Sequence, residues 1–177
     1  MSNDYFETTV TYLEMNSAPP IAESDISDDL ALVQVDQISC QDYRHLYKRA
    51  GEQYNWTERL IISDEELSGL IHSPSVSIFI FEFKKQSAGY FELEFHSKND
   101  IELKYFALFP AFHGKGLGRK FLRMAIQKAW SYDSVKRFWV HTCDMDHPAA
   151  LPTYQKEGFQ IYKTQLEKVP KIPTNSL

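Results

Sequence analysis

The chain has 177 residues and a mass of 20.6 kDa, the size of one domain or of one domain with an appendage. Hydrophobic residues make up 43% and charged residues 24%, which excludes a wholly disordered chain and a collagen-like one. The net charge of −5 and the pI of about 5.7 argue against a general nucleic-acid binder, and mean hydropathy is −0.41 with no apolar run near the ~20 residues of a membrane helix.

The charge is unevenly spread. No Lys or Arg precedes Arg44, whereas nine acids do, so residues 44–177 hold 19 basic and 15 acidic side chains. A basic cluster runs through Lys115, Arg119, Lys120, Arg123, Lys128, Lys136 and Arg137, suited to a small polyanionic ligand or to a solvated helix face. Cys40 and Cys143, the two cysteines, make neither a disulfide framework nor a metal site, which fits a reducing compartment. Residues 1–12 lack the basic start and apolar stretch of a secretory signal, and a cytoplasmic location is expected.

Residues 5–15 are rich in Thr, Val and Tyr and read as a strand at a sheet edge. Residues 17–29, with two prolines and four acids, read as a linker. Leu30 to Ile38 is a second strand, and Gln41 to Gly51 a helix with Tyr43, Leu46, Tyr47 and Ala50 on one face. Ser63-Asp64-Glu65-Glu66 is a capping box that opens a short helix ending near His72. Residues 76–83, 89–95 and 101–108 are β-rich runs joined by polar turns, an antiparallel meander. The segment 113–118 is glycine-rich and opens a helix whose apolar stripe is Leu117, Phe121, Leu122, Ala125, Ile126 and Ala129. Arg137 to Thr142 is a strand. Pro148 suits the first turn of a helix that Gly158 ends, and Phe159 to Leu166 is the last strand. The class is mixed α/β.

The stretch from Phe109 to Arg119, FPAFHGKGLGR, carries the most chemistry. Alternating glycines free the backbone for close approach, so that several N–H groups can converge on one anion at the positive end of the helix. Lys115 and Arg119 add charge. The loop is not a Walker A sequence and lacks the spacing of a dinucleotide fingerprint. On the loop alone, phosphate binding and a plain glycine turn both stand.

His113-Gly114-Lys115-Gly116-Leu117-Gly118 resembles the acyl-CoA pyrophosphate loop of the GNAT N-acetyltransferase superfamily, Q/R-x-x-G-x-G/A, with His113 in place of Gln or Arg. His147 to Phe159, HPAALPTYQKEGF, resembles the superfamily's N-x-x-A-x-x-L-Y-x-x-x-G-F: Ala150, Tyr154, Gly158 and Phe159 match, while His147 and Thr153 depart. Trp56 to Arg59, Glu102 to Phe106 and His141 to Pro148 look like a bacterial GNAT subgroup of unassigned substrate. The resemblance spans residues 31–166. It implies a central, twisted, mostly antiparallel sheet of about six or seven strands flanked by about four helices. Residues 1–29 would be an N-terminal strand and acidic linker, 30–168 the acyltransferase domain and 169–177 a tail.

The resemblance also implies acetyl-CoA as co-substrate, no metal, and transfer of acetyl to a primary amine of a small-molecule or peptide acceptor by direct attack. Phe106, Ala107 and Leu108 would pair with the pantetheine arm, while His113, Gly114, Lys115, Gly116, Leu117, Gly118, Arg119 and His147 would hold the rest of the cofactor. Acetyl transfer needs a base for the ammonium proton and an acid for the departing thiolate. Tyr154, at the motif position, is expected as acid, and Glu102 as base, by its spacing to the loop in the histone acetyltransferase branch. Glu92, Glu94 or a water relay are the other bases. Trp56, Arg59 and Glu92 would line the acceptor site, although packing accounts for Trp56 and Arg59 equally well. Cys143 reads as a small buried thiol rather than an acyl carrier, and His141 reads as capping or packing. A homodimer through strand 5–15 is conceivable, with neither nucleic acid nor membrane as partner. The other reading is an acyl-CoA sensor or interaction protein that keeps the fold without turnover.

Overall fold

The structure, a computed structural model, describes residues 5–21, 29–54 and 56–170. The core of the expected acidic linker (22–28), Asn55 and the end of the expected tail (171–177) lie outside them. Seven strands form one sheet: β1 (Tyr5–Met15), β2 (Leu30–Val35), β3 (Val76–Phe83), β4 (Gln86–Ser97), β5 (Asp100–Leu108), β6 (Arg137–Cys143) and β7 (Gln160–Pro170). Their spatial order is β2-β3-β4-β5-β6-β1-β7, antiparallel except for β5 and β6. Five helices accompany it: α1 (Cys40–Gly51), α2 (Glu58–Ile61), α3 (Asp64–Ile71), α4 (Leu117–Trp130) and α5 (Ala150–Lys156).

Alternation along β4 divides the core between two faces. Phe91 stands toward α4, where Phe121 is the hub: its ring centroid lies 4.2 Å from Phe81, 4.6 Å from Phe106 and 5.7 Å from Phe91. Tyr90, next in sequence, meets Tyr43 of α1 on the opposite face at 6.4 Å. With both faces covered, β4 is buried from Ala88 to Leu93 without a break, which is why its sequence reads as an apolar run and not as a clean alternation.

The expected stripe of α4 is buried, and Met124 joins it. The capping box of α3 is complete, with Ser63 accepting from the Glu66 N–H and Glu66 accepting from the Ser63 N–H. The end of α5 is a Schellman motif: the Phe159 N–H reaches the Tyr154 carbonyl at 3.1 Å and the Gly158 N–H reaches that of Gln155 at 3.1 Å. Gly158 sits at φ 102°, where a side chain would be strained. The accompanying apolar contact is Tyr154 on Phe159, 5.7 Å between centroids.

Two expectations need correction. β1 is not an edge strand but lies between β6 and β7, in register from Val10/Cys143 to Met15/Phe138 on one side and from Tyr5/Pro170 to Glu14/Gln160 on the other. It is therefore part of the same sheet, with both of its edges paired from Val10 to Glu14. Leu13 is fully buried and Thr8, Val10 and Met15 nearly so. The β3–β4 turn is also tighter than the expected 84–88: Lys84 and Lys85 alone make it, at φ 51° and 63°, and β4 begins at Gln86.

Candidate active site

β5 and β6 pair only from Asp100/Arg137 to Leu103/Val140. Beyond that point β5 continues to Leu108 on β4, and β6 continues to Cys143 on β1. A register shift in the β4 pairing, opposite Leu103 and Tyr105, leaves Lys104 as the extra residue where the strands part. The fork opens into a cleft of about 530 Å³.

The glycine loop forms one part of its wall. Gly114 and Gly116 have φ of 73° and 70°, and Gly116 occupies the N-cap of α4 without a side-chain cap. The free N–H groups of the first turn of α4 are therefore left for a ligand. Apart from the adjoining residues and the backbone of α4 itself, no described atom lies within 4 Å of where a Cβ would stand on Gly114, Gly116 or Gly118, so the space above the loop is open. His113 ties the loop to the end of β5, its Nε2 2.8 Å from the Leu108 carbonyl oxygen.

Of the expected cofactor residues, Phe106, Ala107, Leu108, His113, Gly114, Gly116, Leu117, Gly118, Arg119 and His147 all border the cleft. Lys115 does not; its ammonium lies 5.0 Å from the Phe112 ring centre. Arg119 is paired with Glu157, which also takes Arg123 Nε at 2.7 Å, so part of the expected positive charge is already neutralised. His147 accepts the Ala149 N–H on Nδ1 at 3.1 Å, organising the turn before α5.

Tyr154 borders the cleft on α5 and is 6% exposed. Burial, and after it Asp146, push its phenol well above the ordinary range, so it remains a proton donor. Its hydroxyl has no hydrogen-bond partner among the described residues. Cys143 also borders the cleft, but burial and Asp146 push its thiol up, against the thiolate that an acyl-cysteine would need.

Glu102 is placed differently from expectation. It is 1% exposed and does not border the cleft. Its carboxylate receives His141 Nδ1 at 3.0 Å and His96 Nε2 at 2.8 Å, with Lys104 Nζ at 3.6 Å. Burial would raise this carboxyl, but the His141 hydrogen bond, Lys104 and His96 together hold it below the usual carboxylate range. Glu94, His96 and Glu102 offer ligand atoms within 4.8 Å of one another, and Lys104 lies 3.5 Å from Glu94, supplying a positive charge to that cluster.

Arg59 and Glu92 are likewise turned away from the acceptor contact expected of them. Glu92 is fully buried, and Arg59 Nη2 meets it at 3.2 Å while Tyr43 donates to it at 2.8 Å. Burial pushes the Glu92 carboxyl up, and Arg59 and Tyr43 pull against it. Trp56 does border the cleft, held by its Nε1 donating to Asp146 at 3.3 Å and packed on Tyr105 at 5.4 Å. Asp146 also accepts from Thr142 Oγ1 at 2.7 Å and from the Cys143 N–H at 3.0 Å, fixing the turn after β6.

Sequence reasoning gave Glu58, Lys104 and Glu167 no site role and read His141 as capping or packing, yet all four complete the polar wall. Glu58 accepts from the Tyr105 hydroxyl at 3.2 Å, and Glu167 from the Tyr12 hydroxyl at 2.9 Å. Only the pairing of β1 with β7 brings Glu167 here, and no local pattern carries that information.

Residues 32–159 match the family model described as "Acetyltransferase (GNAT) family". No curated protein matches. Solved structures share the fold at low identity. A functionally unknown conserved protein from Staphylococcus epidermidis ATCC 12228 is 11% identical, with a TM-score of 0.68 over 94% of this chain and 63% of that one. A putative acetyltransferase from Novosphingobium aromaticivorans DSM 12444 is 13% identical, with a TM-score of 0.63 over 91% and 63%. This chain thus spans a little under two thirds of each of those two. Spermidine N-acetyltransferase from Vibrio cholerae, solved with CoA and spermine, is 17% identical, with a TM-score of 0.60 over 82% and 97%.

Proposed function

The chain belongs to the acetyltransferase (GNAT) family, and on that premise we propose that it transfers acetyl from acetyl-CoA to a primary amine by direct attack in a ternary complex. The observation that carries the reading is the fork of β5 and β6 with a glycine loop at its mouth. The loop offers the uncapped N-terminus of α4 and open space above three glycines, suited to a pyrophosphate. The stretch from Lys104 to Leu108 has lost its β6 partner, so its free edge can pair with the amide groups of pantetheine as a strand would.

The chemistry follows from the cleft. The neutral amine nitrogen attacks the thioester carbonyl carbon, and the C–N bond forms as the carbonyl electrons move to oxygen. An N–H on the free β5 edge steadies that oxygen. The C–S bond then breaks, and Tyr154 gives its phenolic proton to the leaving sulfur; the second amine proton restores the phenol. Products are the acetamide and CoA thiol, with one proton released to solvent. Glu58 and Glu167 on the polar wall favour a cationic acceptor. Spermidine, the acceptor in the name of the Vibrio cholerae relative, is a suitable first probe.

The test is thiol release from acetyl-CoA with spermidine, an aminoglycoside and a lysine peptide. At least one of them is expected to drive release, and Tyr154→Phe should slow it by about 10²-fold or more. If acetyl-CoA binds but no amine raises release above hydrolysis, the protein is an acyl-CoA sensor and the transferase reading fails.

A further inference from the structure

Amine attack requires that an ammonium first lose a proton, and Glu102, the expected base, lies beneath the cleft wall. Its carboxylate nevertheless has a way to reach the cleft. The parallel register sets Glu102 beside Trp139, so His141, two residues on, is its diagonal neighbour on the same face. His141 is the first residue of β6 beyond the last paired position, Val140. Its side chain is 39% exposed against 1% for that of Glu102, and its ring borders the cleft at the fork.

We propose that His141 is the general base of the reaction and that Glu102 is the positioning residue behind it. The proposal rests on the transferase reading above. The 3.0 Å contact from Nδ1 to Glu102 Oε1 commits the neutral ring to carry its proton on Nδ1, because a carboxylate accepts and does not donate. Nε2 then keeps its lone pair, and it has no hydrogen-bond partner among the described residues. Tyr12 flanks the ring at 5.7 Å, fixing its plane from the β1 side. This is the carboxylate–imidazole logic of acyl-transfer triads, with the amine in place of a serine. Nε2 takes one proton from the acceptor ammonium, the ring becomes imidazolium held by Glu102, and the freed nitrogen lone pair attacks. The imidazolium returns its proton to solvent once CoA has left.

Other carboxylates are less suited. Glu58 and Glu167 each accept a tyrosine hydroxyl, which occupies part of their accepting capacity. The charged and titratable groups around the dyad are Lys104 from β5, His96 and Glu94 from β4, and Tyr12 from β1. Glu167 from β7, Glu58 from α2, and Cys143 and Asp146 following on β6 share the cleft, and Lys163 lies 4.8 Å from the Tyr12 ring centre.

The experiment compares wild type, His141→Gln and Glu102→Gln with two acceptors, an alkylammonium (spermidine) and an aryl hydrazide that is already neutral at pH 7. His141→Gln is expected to bind acetyl-CoA as wild type does. With spermidine at pH 7 it should lose about 10²- to 10⁴-fold in kcat/KM. That loss should shrink to a few-fold with the hydrazide. Glu102→Gln, which loosens the hold on the ring, should slow transfer to spermidine more than transfer to the hydrazide while leaving acetyl-CoA affinity unchanged. Equal loss with both acceptors, or a His141→Gln rate within threefold of wild type, overturns the proposal. Nitrogen-15 NMR of the resting protein is the readout independent of turnover: the neutral His141 ring should be the Nδ1–H tautomer, and an Nε2–H tautomer refutes it. Absence of turnover by wild type with the expected tautomer present would sink the transferase reading, and the base assignment with it, while leaving the dyad geometry standing.

Discussion

Truncating Glu92 to alanine should be among the most damaging single changes in this chain. Glu92 has no exposure, and its two oxygens are shared by Arg59 Nη2 at 3.2 Å and the Tyr43 hydroxyl at 2.8 Å. Its removal leaves the Arg59 cation with 8% side-chain exposure and no counter-charge, and Arg59 Nη1 already lacks a partner among the described residues. Breaking one side of a buried pair costs about 3–5 kcal/mol, and the orphaned Tyr43 hydroxyl adds about 1–3 kcal/mol. Because the two losses share one pocket they do not simply add, and we expect about 4–6 kcal/mol. At about 2–4 °C per kcal/mol for a chain of this size, Tm should fall by roughly 8–24 °C. Urea unfolding of Glu92→Ala, Arg59→Met and the double variant Glu92→Leu/Arg59→Met measures it. The double variant should recover most of the loss, since an apolar pair of similar volume avoids the buried charge. A Glu92→Ala loss under about 1 kcal/mol, or a double variant as unstable as the two singles summed, would refute the reasoning.

Three further outcomes follow from other parts of the molecule. Lys84 and Lys85 hold a hairpin turn at positive φ, so Lys84→Asn/Lys85→Gly should raise stability by about 1 kcal/mol or more, read by thermal unfolding; no gain would mean that the lysines carry no conformational cost there. Gly158→Ala, at φ 102°, should cost about 1–2 kcal/mol and, by loosening the Schellman motif that sets Tyr154, should also lower kcat. Glu102 has a folded-state pKa below its ordinary value, so its stabilising contribution is complete above the unfolded carboxylate pKa of about 4.3 and is lost as pH falls through the lower folded value. The stability gap between wild type and Glu102→Gln should therefore be wide at pH 6 and close in strong acid, and a gap independent of pH would contradict the assignment.

What the sequence made legible was local. The stripe of α4 and the Ser63–Glu66 box are patterns of neighbouring residues, and the structure has both. The Gly158 terminus is equally local, with Phe159 closing the motif on Tyr154. The position of β1 was not legible, because its partners lie some 130 residues away at Val10/Cys143 and its Thr- and Val-rich pattern suits an interior strand as well as an edge. The Lys84–Lys85 turn lacks the Gly or Asn that signals positive φ. At the site, the glycine loop was legible from its spacing. The relation between Glu102 and His141 was not, since it arises only when the short parallel register brings β5 beside β6. Arg59 and Glu92 look like surface charges in sequence, and only the packing of α1 over the sheet buries them together.

The central claim is that the β5–β6 fork and its glycine loop hold acetyl-CoA, and calorimetric titration of acetyl-CoA into wild type and Gly116→Glu tests it most directly. Gly116 sits at φ 70° with open space around it, so the glutamate would put a side chain and a negative charge where the pyrophosphate is expected. Wild-type binding that disappears in a folded Gly116→Glu variant is the result the account predicts. A wild type that binds no acetyl-CoA, or a folded variant that binds it equally well, would contradict it.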